Sequence, residues 1–166
     1  MPFDVVLAAG LPKDGYFMVV RQDNKWNFVH ELIQEPISEV WYDAVRQFYE
    51  GFAAVQQGDK WNYIDETGEV LSDKWFDEAR DFSNGMAVVR RKKVYSYVNN
   101  EGDVFGKYNA ATSFRHGFAS IVIHKRHYII NKEFEKIHGP FEYASNILVA
   151  GTAIVRDKEG QRVIRL

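Results

Sequence analysis

The feature that most constrains this chain is that it repeats itself. FYEGFAAV at 48–55, FSNGMAVV at 82–89 and FRHGFASI at 114–121 share one pattern: an aromatic residue, two further residues, glycine, then an apolar run with alanine. Extending the register gives Gly15, Gly51, Gly85, Gly117 and Gly151, spaced by 36, 34, 32 and 34 residues. About ten positions after each glycine comes a second marker: KWNF at 25–28, KWNYID at 60–65, KVYSYV at 93–98 and KRHYII at 125–130, with Lys25, Lys60, Lys93 and Lys125 keeping the period. A third, WYDAV, WFDEA, KYNAA and PFEYA, sets Tyr42, Phe76, Tyr108 and Phe141 apart by 34, 32 and 33. A unit of this length cannot bury its own apolar face and must stack on its neighbours. The chain therefore reads as one domain, 1–166, of about five units near 15–50, 51–84, 85–116, 117–150 and 151–166, the last completed by 1–14.

Within a unit the pattern is β. Residues 52–57 and 60–65 are short aromatic and β-branched runs around Gly58-Asp59, which predicts a hairpin. Glu66-Thr67-Gly68 turns the chain, 69–72 is expected as a third strand, and Asn99-Asn100-Glu101-Gly102 repeats the turn one unit later. One stretch competes: Ile37, Val40, Trp41, Ala44, Val45, Phe48 and Tyr49 follow helical spacing with Ser38 as a cap. The counterpart at 75–82 lacks that stripe, so the segment is read as extended or a single helical turn.

Together the glycine block, the Lys-Trp hairpin, the Ile-Asp-x-x-Gly turn and the aromatic-Asp segment resemble the WG-repeat family of bacterial proteins. The best copy is 44–78, and the copies after Gly117 and Gly151 are eroded. The Trp-Gly pair of the family is replaced by Trp26-Asn27, Trp61-Asn62, Tyr95-Ser96 and Arg126-His127. Because asparagine tolerates positive φ, a left-handed backbone is expected to survive at Asn27 and Asn62. The resemblance implies a repeated β scaffold that serves as an interaction module and brings no catalytic residues. Its architecture is expected as a propeller-like closed ring, with an open β-solenoid as the alternative. Pro2-Phe3-Asp4 resembles the aromatic-Asp segment, so first and last units could pair to close the ring.

Composition narrows the chemistry. With 166 residues the chain buries about 70% of its unfolded surface and needs no staple. It has no cysteine, which excludes disulfides, thiolate metal sites and cysteine nucleophiles. No basic leader precedes Asp4, and the apolar run 5–11 is too short to span a membrane, so a cytoplasmic protein is expected. His116, His124 and His127 lie near one hairpin, but Lys125-Arg126 repels a cation there, and neither metal nor cofactor is expected. Asp65-Glu66, Asp77-Glu78 and Glu133 with Glu135 recur with the repeat and read as turn caps or rim charges. No serine elbow or phosphate-binding glycine loop occurs, and the chain is read as not an enzyme. Trp26, Trp61, Tyr63, Tyr95, Tyr97 and Tyr128 are expected to fill the core.

Charge is bipolar: residues 1–89 carry −9, 90–138 carry +6 and 139–166 carry +1. The first reading is a partner protein bound through an acidic and aromatic rim of Trp41, Asp43, Trp75, Asp77, Glu78 and Asp81; its concrete version is an inhibitor or immunity-type partner of a basic bacterial toxin. The alternatives are nucleic acid or phosphate held at the basic tips Arg90, Arg91, Lys92, Lys93, Lys125 and Arg126, and a lectin-like small-ligand module. Opposed charges also permit head-to-tail self-association, and the sequence leaves the oligomeric state open.

Overall fold

The computed structural model describes residues 4–7, of which 5–7 by backbone alone, and 17–166. Gly15 and Pro2-Phe3 lie outside the described residues. The described chain is all-β, with no helix, and divides into two compact units, 1–81 and 82–166. Unit 1 holds β1 (Asp4–Leu7), β2 (Phe17–Gln22), β3 (Lys25–His30), β4 (Ala44–Tyr49), β5 (Phe52–Gln57), β6 (Lys60–Asp65) and β7 (Glu78–Ala79). Its two antiparallel sheets run β1-β2-β3 and β4-β5-β6. Unit 2 holds β8 (Met86–Arg91), β9 (Val94–Asn99), β10 (Val104–Tyr108), β11 (Ala110–Ala111), β12 (Ala119–Ile123), β13 (Arg126–Ile130), β14 (Lys136–Phe141), β15 (Tyr143–Ala144), β16 (Thr152–Asp157) and β17 (Gly160–Arg165). There β8-β9-β10, β11-β12-β13-β14 and β15-β16-β17 are hydrogen-bonded in those orders.

The repeated element is a hairpin, β2-β3, β5-β6, β8-β9, β12-β13 and β16-β17, turning at two-residue tips: 23–24, 58–59, 92–93, 124–125 and 158–159. At the other end of β5, β8, β12 and β16 lies the repeat glycine. Glu50 and Gly51 (φ 53° and 85°), Asn84 and Gly85 (56° and 79°), and His116 and Gly117 (53° and 84°) are successive left-handed pairs. A tight hairpin turn of this hand requires positive φ at both central residues, which is why glycine recurs there.

The helical stripe at 37–49 belongs to a strand. The register of β4 on β5 shifts between Val45 and Phe48, so one extra residue bulges out. The inward-facing Val45 and Phe48 then fall three apart, which imitates a helical period. The third strand expected at 69–72 is reduced to a bridge between Ile64 and Val70, whereas unit 2 forms it fully as β10 and β14.

The third marker is the link between successive hairpins. Tyr42 exchanges two backbone hydrogen bonds with Trp26, both 2.8 Å, and the next residue, Asp43, already donates its N–H to Gln56 of the following hairpin. Phe76 pairs with Trp61 in the same way, Tyr108 lies opposite Tyr95, and Phe141 opposite His127. One extended segment thus leaves one sheet and starts the next. The apolar clusters follow this link. Val19 and Phe28 meet Ala53, Val55 and Ile64 of the next hairpin around Tyr42 and Phe48. Val88 and Tyr97 meet Ala119, Ile121 and Ile130 around Ala111 and Phe114, and Ile129 meets Ala153 and Val155 around Phe141 and Ile147. Each core is closed by a neighbour, as stacked repeats require.

The register corrects three sequence alignments. Lys25 and Lys60 open their second strands, but Lys93 and Lys125 sit one residue earlier, inside the tips. The fourth Trp-Gly equivalent is therefore His127-Tyr128 and not Arg126-His127. Asp4 lies opposite Arg21, the place that Ala44 takes opposite Gln56, so it is one residue past the position of Asp43.

Candidate binding site

Asn27 and Asn62 do not take the left-handed backbone expected of a glycine substitute. Both lie in strands, fully buried, and neither has positive φ. Each side-chain oxygen accepts the next residue's N–H at 2.8 Å, from Phe28 or Tyr63. Each amide nitrogen donates outward, Asn27 to the carbonyls of Ser38 (2.7 Å) and Val40 (3.2 Å), Asn62 to that of Ser72 (2.6 Å). These side chains fasten the loop that leads into the linking segment, a buried polar group with its bonds made.

The acidic rim is partly consumed by the same linkage. Asp43 accepts Lys25 Nζ at 2.5 Å and the Gly58 N–H at 2.8 Å, ties that hold its carboxyl below the usual range. It staples one hairpin to the tip of the next. Asp77 accepts Lys60 Nζ at 2.5 Å, and Glu78 accepts Arg80 Nε at 3.0 Å. Asp65 caps its turn by accepting the N–H groups of Thr67 (2.8 Å) and Glu69 (3.1 Å), and Asn99 does the same for Glu101 and Asp103. Trp41 and Trp75 are half-buried, Trp75 against the core of unit 1. Tyr63 and Tyr97 are buried and donate their hydroxyls to the carbonyls of Arg80 and Thr112; Trp26, Trp61, Tyr95 and Tyr128 are half-buried.

Among the basic residues, Arg91, Lys92, Lys93, Lys125 and Arg126 are exposed, while Arg90 donates to the Lys92 carbonyl and lies over the Tyr95 ring. Lys92-Lys93 and His124-Lys125 form equivalent tips of successive hairpins. The three histidines are not brought together: His116 and His124 occupy turns at opposite ends of β12, and His127 is half-buried with burial lowering its pKa.

What the side chains do bring together is a cavity of about 570 Å³ in unit 1, lined by Val19, Trp26, Val45, Arg46, Tyr49 and Asp81 among others. The β4 bulge places Arg46 here. Its guanidinium lies over the Trp61 ring, 5.0 Å from the centroid, and 3.9 Å from Asp81 Oδ1. That oxygen is buried and has no hydrogen-bond partner, and burial raises the Asp81 pKa against the opposing pull of Arg46. Arg46 belongs to none of the sequence motifs; the sequence signal for it is Arg80, 34 positions on at the same place in the repeat.

The comparisons agree with this architecture. A family model described as the WG containing repeat matches 36–61 and 63–95, so two adjacent WG repeats lie there. No curated protein matches the sequence. Among solved structures, Hsv2 of Kluyveromyces marxianus, a β-propeller, is similar at a TM-score of 0.50 and 13% identity over 93% of this chain and 60% of that one. A eukaryotic initiation factor is similar at 0.56 and 12% identity over 91% of this chain and 49% of that one. This chain spans three fifths or less of those proteins' lengths, and the likeness is one of fold: all-β, built from successive hairpin sheets.

Proposed function

We propose that this chain is a noncatalytic, protein-binding β-repeat module whose acidic N-terminal half receives a basic partner, its repeats arranged as a propeller-like ring. The observation that carries the reading is the unit 1 cavity, apolar and aromatic with an unsatisfied carboxylate oxygen, in a half of the chain with net charge −9. An apolar anchor pocket amid charge of one sign is what a steered protein interface uses. The WG repeat and the propeller-like neighbours support a module of this kind. An inhibitor of a basic toxin is the concrete form of the proposal.

The charges to reverse are those without a fold role. Glu66, Glu69 and Asp73 are exposed, whereas Asp43 joins two repeats and Asp77 ties its linking segment to Lys60. The test is affinity capture from source lysate with nuclease present, at low and high salt. A stoichiometric protein that is released by salt and lost to the variant E66K/E69K/D73K is expected; equal capture by that variant overturns the reading. A second reading, nucleic acid at the basic tips, draws on the equivalence of Lys92-Lys93 and His124-Lys125. It predicts recovery of nucleic acid without nuclease, lost when both tips become serine.

A further inference from the structure

We infer that the unit 1 cavity receives a basic side chain of the bound polypeptide, an ammonium or guanidinium on an apolar stem. This rests on the reading of unit 1 as the partner-binding half. Its size suits one side chain and part of its backbone, being in the range of ligand pockets. The polar deficit is a donor: Asp81 Oδ1 is buried with nothing donating to it, and Arg46 at 3.9 Å is beyond hydrogen-bond length. The Asp81 side chain as a whole is 39% exposed, so an arriving N–H can reach a carboxylate that no hydrogen bond yet satisfies.

Arg46 does not fill the role because its face is held by the Trp61 indole. It leaves Asp81 as the group that orients an incoming head. The walls favour the same ligand. Val19 and Val45 match an apolar stem, and Trp26 and Tyr49 present aromatic rings. Rings in this protein already hold cations: Arg21 lies 5.4 Å from the centroid of Trp26, and Arg46 5.0 Å from that of Trp61. An anion directed at Arg46 would meet Asp81 and the net negative charge of this half.

The experiment titrates the whole chain with acetylated, amidated tripeptides Gly-X-Gly, X being Arg, Lys, norleucine or Glu, and with free butylamine, followed by NMR of the Trp26 indole N–H and the side-chain amide of Gln47, both residues lining the cavity. Saturable shifts with the Arg and Lys peptides, at least tenfold weaker with norleucine and in D81N, are expected. D81N unfolding at or above the parent temperature shows that the loss is not misfolding. Equal binding of norleucine, preference for Glu, or no shift with any peptide overturns the assignment. Butylamine binding as tightly as the Lys peptide overturns its polypeptide source. Peptides that bind here while the lysate capture fails leave the cavity assignment standing and remove the proposed function, so the two fail separately.

Discussion

The two units solve one mechanical problem with different side chains. In both, a linking segment must be held against the hairpin it leaves and the hairpin it enters. Unit 1 uses buried amides, Asn27 and Asn62, and the ion pairs Lys25–Asp43 and Lys60–Asp77. Unit 2 uses Ser96, whose hydroxyl donates to the Gly106 carbonyl, and Asn109, whose side chain accepts the His124 N–H at 2.9 Å. Val94 and Arg126 stand where the pairing lysines stood. The backbone register of tip, glycine turn and aromatic bridge is the same in both. The fold therefore depends on turn geometry and apolar pairing, while the staples are exchangeable. The family match ends at residue 95, whereas the hairpins continue to Arg165.

The comparison breaks most severely where turn geometry and close backbone approach coincide. Gly68 has φ +85°, and a Cβ there would overlap the carbonyl oxygen of Ile37 in the preceding repeat. Gly51 has the same φ but open space around its Cβ position. Gly68→Ala is expected to cost about 3 kcal/mol or more, and Gly51→Ala about 1 kcal/mol. Urea unfolding midpoints would separate them. Equal losses would mean that conformation alone matters and that repeats are not seated backbone to backbone.

Next come the staples themselves. Removing the Asn62 amide leaves the buried Tyr63 N–H and the half-buried Ser72 carbonyl without that partner, so Asn62→Ala is expected to cost about 2 kcal/mol. Ser96→Ala removes one bond near solvent and should cost under about 1 kcal/mol. A larger loss at Ser96 than at Asn62 would mean that unit 2 leans more on its polar staples than unit 1 does.

How much of this was legible before the structure depended on whether a residue's role is local. The hairpins were readable because a two-residue turn and an alternating strand are encoded within ten residues, as at 52–65. The repeat glycines were visible as markers, though their cause, paired left-handed residues, is a backbone property. The strand 44–49 was ambiguous because a bulge shifts an alternating pattern to a spacing of three. Asn27 and Asn62 read from sequence as glycine substitutes because their partners, Ser38, Val40 and Ser72, lie ten or more residues away in a loop with no pattern of its own. Arg46 with Asp81 was hidden for the same reason: the pair joins positions 35 apart, through a bulge. The sequence shows the charge of Asp81 but not the burial of its Oδ1.

A smaller effect sharpens the staple argument. If Asp43 matters chiefly as the acceptor for the Gly58 N–H, then Asp43→Asn, the solution Asn109 already uses, should keep the unfolding temperature near that of the parent. Asp43→Ala should lower it. If both variants fall equally, the Lys25 ion pair is the part that counts, and added salt should then lower the parent as well.

The smallest expected effect has the opposite sign. Burial raises the Asp81 pKa in the folded state, so the native protein binds its proton more readily than the unfolded chain does. A raised folded-state value adds stability below the ordinary aspartate range and withdraws it as pH rises through the raised value, so ionised Asp81 is a burden at neutral pH. Asp81→Asn should therefore raise the unfolding temperature at pH 7, by less than about 1 kcal/mol in stability terms because the side chain is over a third exposed. The gain should shrink as the pH falls and the parent's carboxyl takes up its proton, and comparing the two proteins at each pH cancels the other carboxylates. A lower temperature for the variant at pH 7 would mean that the Arg46 contact outweighs desolvation. A higher one places Asp81 among groups that burden the fold while equipping a binding site, in contrast to Asp43, which holds two repeats together.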